Sequence, residues 1–120
     1  MPHILVADDD LDIARLVAFQ LKFHGFEVTL AHDGAAALEK AQKGPPDVIL
    51  LDWMMPGMDG LQCLNALKAT PGLRHIPVIL MTARAQQTDV DAGISAGAAA
   101  YLVKPFQLDK LIHTVREAIA

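Results

Sequence analysis

Apolar runs of four to six residues alternate along the chain with longer stretches whose apolar positions recur at helical spacing. The pattern predicts a strand over 4–7, then a helix over 11–24 with Gly25 as its C-terminal stop. Residues 27–31 alternate weakly and read as a second strand. Residues 34–43 are Ala-rich and helical until Gly44-Pro45-Pro46 breaks the pattern. The continuous apolar run 48–51 is the mark of a strand buried on both faces. A loop over 54–59 carries Pro56 and Gly57, and Asp59 is placed to cap a helix through residue 69. A strand over 77–81, a helix over 86–96 ending at Gly97, a strand over 99–103 and an amphipathic helix over 108–119 complete the chain.

Five β–α units in 120 residues imply crossover connections and a parallel sheet covered on both faces. A closed barrel needs eight such units, so the expected architecture is an open, doubly wound α/β sheet. No internal repeat, low-complexity tract or linker interrupts it, and residues 1–120 read as one domain. With 52% hydrophobic and 20% charged residues the chain can bury a full core without staples.

The charge balance narrows the function. The net charge is −4 and Lys and Arg are nowhere clustered, so a nucleic-acid surface is not expected, because phosphate contacts need grouped cations. Cys63 is the only cysteine, which rules out an internal disulfide and fits a reducing cytoplasm. No basic segment followed by an apolar one opens the chain, so no secretory leader is expected, and the apolar runs are too short to span a bilayer.

The reactive side chains fall at one place. Asp8 and Asp9 end the first predicted strand, Asp52 the third and Thr82 the fourth, and Lys104 follows the fifth. All therefore lie at the carboxyl edge of the sheet, where open α/β sheets bind ligands at the point of strand-order reversal. In the order 2-1-3-4-5 that point lies between strands 1 and 3, so the three carboxylates converge on one crevice. Packed carboxylates repel and take up protons unless a cation neutralises them. A hard divalent ion, Mg²⁺ or Mn²⁺, with oxygen ligands meets that need. Capping of the first helix accounts for one Asp of the three, and Asp10 suits that role. A lysine, a hydroxyl donor and a metal ion around a carboxylate are what an aspartyl phosphate requires.

Four segments carry a family resemblance: ILVADDD at 4–10, DVILLDWMMPGMDG at 47–60, PVILMTA at 77–83 and GAAAYLVKPF at 97–106. In this order and spacing they resemble the response-regulator receiver domains of two-component signalling, over residues 4 to about 119. The resemblance implies a flavodoxin-like fold and a phosphorylation-dependent switch rather than an enzyme. It implies that Asp52 is the phosphoacceptor, that Asp9 ligates Mg²⁺ directly and Asp8 mainly through water, and that the carbonyl of Met54 completes the protein's share of the metal shell. Lys104 would pair with the phosphoryl group, Thr82 would bond to it on activation, and Tyr101 would swing between outward and inward rotamers. The Lys104–Pro105 bond would be cis. The implied partners are a histidine kinase or phosphotransfer protein and a downstream output domain or target, met through the face of helix 4, strand 5 and helix 5.

The sequence departs from the family at several positions. Ala99 and Ala100 stand where two acidic residues are common, and Val90 lies near the place of a common arginine. The salt bridges that support dimers through that face would lack these partners. Trp53 follows the acceptor where an aliphatic residue is more usual.

Three other readings compete. Gly93-Ile94-Ser95-Ala96-Gly97 matches the G-x-S-x-G elbow of hydrolases, with Asp109 and His113 in triad order, but an elbow joins a strand to the next helix and this segment ends a helix. A phosphohydrolase with Asp52 as nucleophile would need an acid two residues on, where Met54 cannot move a proton. Arg84, two residues after Thr82, cannot act as a base either. A phosphorylation-independent binding module would need no acceptor set, yet every member of the set is present. Neither a P-loop nor G-x-G-x-x-G occurs, and the five histidines show no ligand spacing.

Overall fold

A computed structural model of the chain describes residues 1–83 and 86–120. Arg84 lies outside the described residues. The elements run β1 (His3–Ala7), α1 (Leu11–Phe23), β2 (Glu27–Ala31), α2 (Gly34–Lys43), β3 (Val48–Asp52), α3 (Gly60–Ala69), β4 (Val78–Thr82), α4 (Gln87–Ser95), β5 (Ala100–Val103) and α5 (Leu108–Ile119). The strands form one parallel sheet in the order β2-β1-β3-β4-β5, as the alternation of elements predicts.

Boundaries differ from the sequence pattern by a residue in several places, because backbone hydrogen bonding and not hydrophobicity sets the element ends. β3 extends to Asp52, which pairs in register with Met81, and β4 begins at Val78 and includes Thr82. α1 closes at Phe23 and His24 caps it, its backbone N–H donating to the Gln20 and Leu21 carbonyls. β5 begins at Ala100, after the amide of Ala99 has donated to the Val78 carbonyl.

Side-chain alternation along the strands builds two cores. Ile4, Val6, Val48, Leu50, Ile79, Met81 and Leu102 pack against Val17 and Leu21 of α1 and Leu111, Ile112 and Val115 of α5. Leu5, Ala7, Ile49, Leu51, Val78 and Leu80 pack on the other face against Ala37 and Ala41 of α2 and Cys63, Leu64 and Leu67 of α3. All residues of β3 and β4 are buried, so the central strands are held on both faces while their carboxyl ends open onto the loops. Full burial of each Leu or Ile there contributes roughly 1.5–3 kcal/mol, which fixes the strand ends that carry polar groups.

Candidate functional site

The three consecutive aspartates after β1 separate into three roles. Asp10 caps α1, its Oδ1 accepting from the amides of Asp12 at 3.1 Å and Ile13 at 3.2 Å. Asp8 is 1% exposed; its amide donates to the Ala31 carbonyl, and its Oδ1 accepts from the Asp10 amide at 2.9 Å. Asp9 is exposed between them. Asp52 closes β3 and is 5% exposed, while Thr82 closes β4 and is fully buried. Lys104 follows β5, tied to β4 by its amide, which donates to the Thr82 carbonyl at 2.8 Å. The Lys104–Pro105 peptide is cis. Tyr101, half-buried, stands on β5 in register with Leu80.

Adjacent parallel strands thus bring residues distant in sequence to one sheet edge. Oxygens of Asp8, Asp9 and Asp52 all lie within 4.8 Å of one another. Lys104 reaches over them, its Nζ 2.8 Å from Asp8 Oδ2 and 3.5 Å from Asp52 Oδ1. The closer partner is therefore Asp8, and among the described residues one ammonium lies within 4 Å of Asp8 and Asp52. The balance is visible on Asp52: burial and the neighbouring Asp8 charge push its carboxyl from 3.8 up to about 6, against the pull of Lys104 and the Met54 amide. Two buried carboxylates with an exposed third, all oxygen donors and short of positive charge, suit a hard divalent cation. The donor set fits Mg²⁺.

The loop after β3 is shaped around Asp52. The Met54 amide donates to Asp52 Oδ1 at 3.4 Å, and the Met54 side chain is 59% exposed. Trp53 is clamped at both backbone ends: its amide donates to the Met81 carbonyl at 3.0 Å and its carbonyl accepts from Gly60 at 2.8 Å. Gly60 was not singled out by sequence, yet a Cβ there would lie 2.5 Å from the Asp52 carbonyl oxygen and 2.6 Å from Trp53 Cα. The available signal was a glycine opening a helix just inside an N-cap, where its low propensity brings no local gain.

These observations stand beside three comparisons. The family model described as the response regulator receiver domain matches residues 4–116. The chain belongs to that family. Relatives of the receiver domain include the transcriptional regulatory protein PrrA of Mycobacterium tuberculosis, 44% identical over 96% of this chain and 48% of that protein. The phosphate regulon transcriptional regulatory protein PhoB of Klebsiella pneumoniae is 39% identical over 95% of this chain and 50% of its own length. Among solved structures, the chemotaxis protein CheY4 of Vibrio cholerae superposes with a TM-score of 0.93 at 34% identity, covering 98% of both chains. The chain spans about half the length of the curated relatives it matches.

Receiver domains bind Mg²⁺ at an acidic pocket, and Asp8, Asp9 and Asp52 form such a pocket here. The hydrolase pattern, by contrast, is not assembled as an elbow. Ser95 is the exposed last residue of α4, and His113 lies on the solvent side of α5, where its Nε2 meets Glu117 Oε1 at 2.6 Å. No described helix is long and apolar enough to cross a membrane.

Proposed function

We propose that Asp52 accepts a phosphoryl group, with Asp8, Asp9 and the Met54 carbonyl sharing in Mg²⁺ binding, and that residues 1–120 act as one switch unit. The single observation that carries this reading is the convergence of Asp8, Asp9 and Asp52 under the Lys104 ammonium at the carboxyl edge of the sheet. An Asp52 carboxylate oxygen forms the new bond to phosphorus, and the bond from phosphorus to the donor's leaving group breaks. That leaving group is a histidine ring nitrogen in a kinase or phosphotransfer protein, and acetate when acetyl phosphate is the donor. A bound Mg²⁺ supplies charge neutralisation for the phosphoryl oxygens. Lys104, already above Asp52, orients them, and the Thr82 hydroxyl on the neighbouring strand would donate to one of them.

Tyr101 and the surface of α4, β5 and α5 would then report the phosphorylated state to an output domain or target protein in the cytoplasm. The position two residues after the acceptor holds the Met54 side chain, which supplies neither acid nor base, so the chemistry stops at a stored aspartyl phosphate. The test is incubation with acetyl phosphate and Mg²⁺, followed by intact mass. One acid-stable, base-labile phosphoryl group on wild type and none on Asp52→Asn is expected. Labelling that survives in Asp52→Asn overturns the assignment.

A further inference from the structure

Helix α4 packs against the sheet at Gly93, and its Asp89 and Val90 are half-buried. Of its nine residues only Gly93 is buried, and its N-cap, Gln86, makes no side-chain capping hydrogen bond. At Gly93 the approach is close: a Cβ there would sit 2.7 Å from Leu80 Cδ1 and 3.4 Å from both Cδ2 and Cε2 of the Tyr101 ring. Contacts between real atoms are almost never that short as the first, so even one methyl group must displace Leu80 or lift the helix. α4 is therefore seated against Leu80 and Tyr101 with no spare room at Gly93.

The Tyr101 ring also meets Trp53, the residue after the acceptor. Its centroid lies 6.1 Å from that of Trp53, with the rings inclined at 69°, the edge-to-face arrangement that aromatic quadrupoles favour. Trp53 is 4% exposed and is the residue bonded to Asp52. Its backbone is held by Met81 and Gly60, so a change at the Asp52 peptide has little freedom to dissipate in the loop and is passed on to the indole. Strand alternation sends Trp53 into the α2–α3 core, on the face that also carries Leu80 and Tyr101.

We infer that Trp53 is a positioning residue whose indole, through Tyr101 and Gly93, couples the acceptor peptide to the seat of α4. This rests on the reading of Asp52 as the acceptor and adds a route from it to the output face. The route runs through side-chain packing along one face of the sheet. Coupling is reciprocal, so a substitution at Gly93 that shifts the seat of α4 must also shift affinity at Asp52. An edge-to-face aromatic pair sets that shift at roughly two- to tenfold.

The chain has one tyrosine and one tryptophan, so each reports alone. The experiment uses fluorotyrosine-labelled protein with Mg²⁺ and beryllofluoride, which stands in for the phosphoryl group on Asp52. Bound fluoride gives its own fluorine NMR signal, and Asp52→Asn should lose it. In wild type the Tyr101 resonance should move on binding. In Trp53→Leu the bound fluoride signal should persist while the Tyr101 response falls below half; Trp53→Phe, which keeps a ring edge, should retain most of it. In Gly93→Ala without ligand, both the Tyr101 resonance and the Trp53 emission should shift, and beryllofluoride affinity should change two- to tenfold.

A full Tyr101 response in Trp53→Leu overturns the inference. So does a Gly93→Ala shift at Tyr101 that leaves Trp53 emission and beryllofluoride affinity as they were. If Trp53→Leu does not fold, the Gly93→Ala and Trp53→Phe arms decide. Absence of bound fluoride in wild type would instead sink the acceptor reading, and the ligand-free Gly93→Ala arm would still judge the coupling.

Discussion

Asp52→Asn should make the metal-free protein more stable, by an amount that depends on pH in a way no ordinary packing change reproduces. Asp52 is 5% exposed beside Asp8, and its carboxyl is raised from 3.8 to about 6. A group whose folded pKa lies above its unfolded value binds more protons when folded. Its favourable contribution is complete below pH ~4 and is lost as pH rises through about 6. Two pH units correspond to roughly 3 kcal/mol, an upper figure because local relaxation absorbs part of it. Asparagine keeps the shape and removes the charge, so the variant escapes the loss.

The two proteins should therefore have similar stability near pH 4, diverge between pH 4 and 6, and hold a constant gap above that. For a chain of 120 residues the gap should appear as roughly 5–10 °C in Tm at pH 7.5 without metal. Thermal melts of both proteins across pH 4–8, with chelator and then with saturating Mg²⁺, measure it directly. Mg²⁺ should close the gap, because a ligand that binds only the folded wild type stabilises it by mass action. A gap that is absent at pH 7.5, or the same at pH 4 as at pH 7.5, would refute the reasoning.

Other substitutions address the site's parts. Asp9→Ala should weaken Mg²⁺ binding more than Asp8→Ala does, since Asp8 is already engaged by Lys104 and the Asp10 amide while Asp9 faces solvent; calorimetric titration with equal affinities for wild type and Asp9→Ala would contradict this. Met54→Asn should shorten the lifetime of the phosphorylated form, because an amide two residues after Asp52 can hold a water in line with phosphorus; an unchanged hydrolysis rate counts against it. Gly60→Ala should cost roughly 1–3 kcal/mol and slow labelling by acetyl phosphate, because its methyl meets the Asp52 carbonyl and not a yielding side chain; a wild-type melt and rate would show that α3 can back away freely.

Much of this was legible in the sequence, for a physical reason. Parallel strands buried on both faces write themselves as uninterrupted apolar runs, as in residues 48–51 and 77–81, whose short length and β-branched residues favour strands. Once the strands are placed, topology alone brings Asp8, Asp9, Asp52, Thr82 and Lys104 to one edge. What the pattern could not give was the pairing within that edge. Lys104 lies closer to Asp8 than to Asp52, a choice set by ångström-scale geometry that no spacing encodes. Gly60 goes unremarked in the sequence, and Gly93 enters only as part of the G-x-S-x-G pattern, because close approach leaves no mark beyond a glycine in a helix, which has several possible causes.

The pairing of Lys104 also explains why the site is arranged as a switch and not as a salt-bridged core. Among the described residues a single ammonium lies between Asp8 and Asp52 and cannot neutralise both, and Asp9 adds a third negative group at the rim. A hydrophobic replacement of such a cluster would often be more stable, so its retention is not explained by stability. The unmet charge instead makes the site's energy depend on what arrives there, whether a proton, a cation or a phosphoryl group with its cation. On the proposed reading each of these would act on Asp52, whose own peptide leads to Trp53 and from there to the Tyr101 ring against Gly93 of α4. β3 and β4 are wholly buried while α4 buries only Gly93, so the inferred coupling would be expressed at that helix rather than in the core.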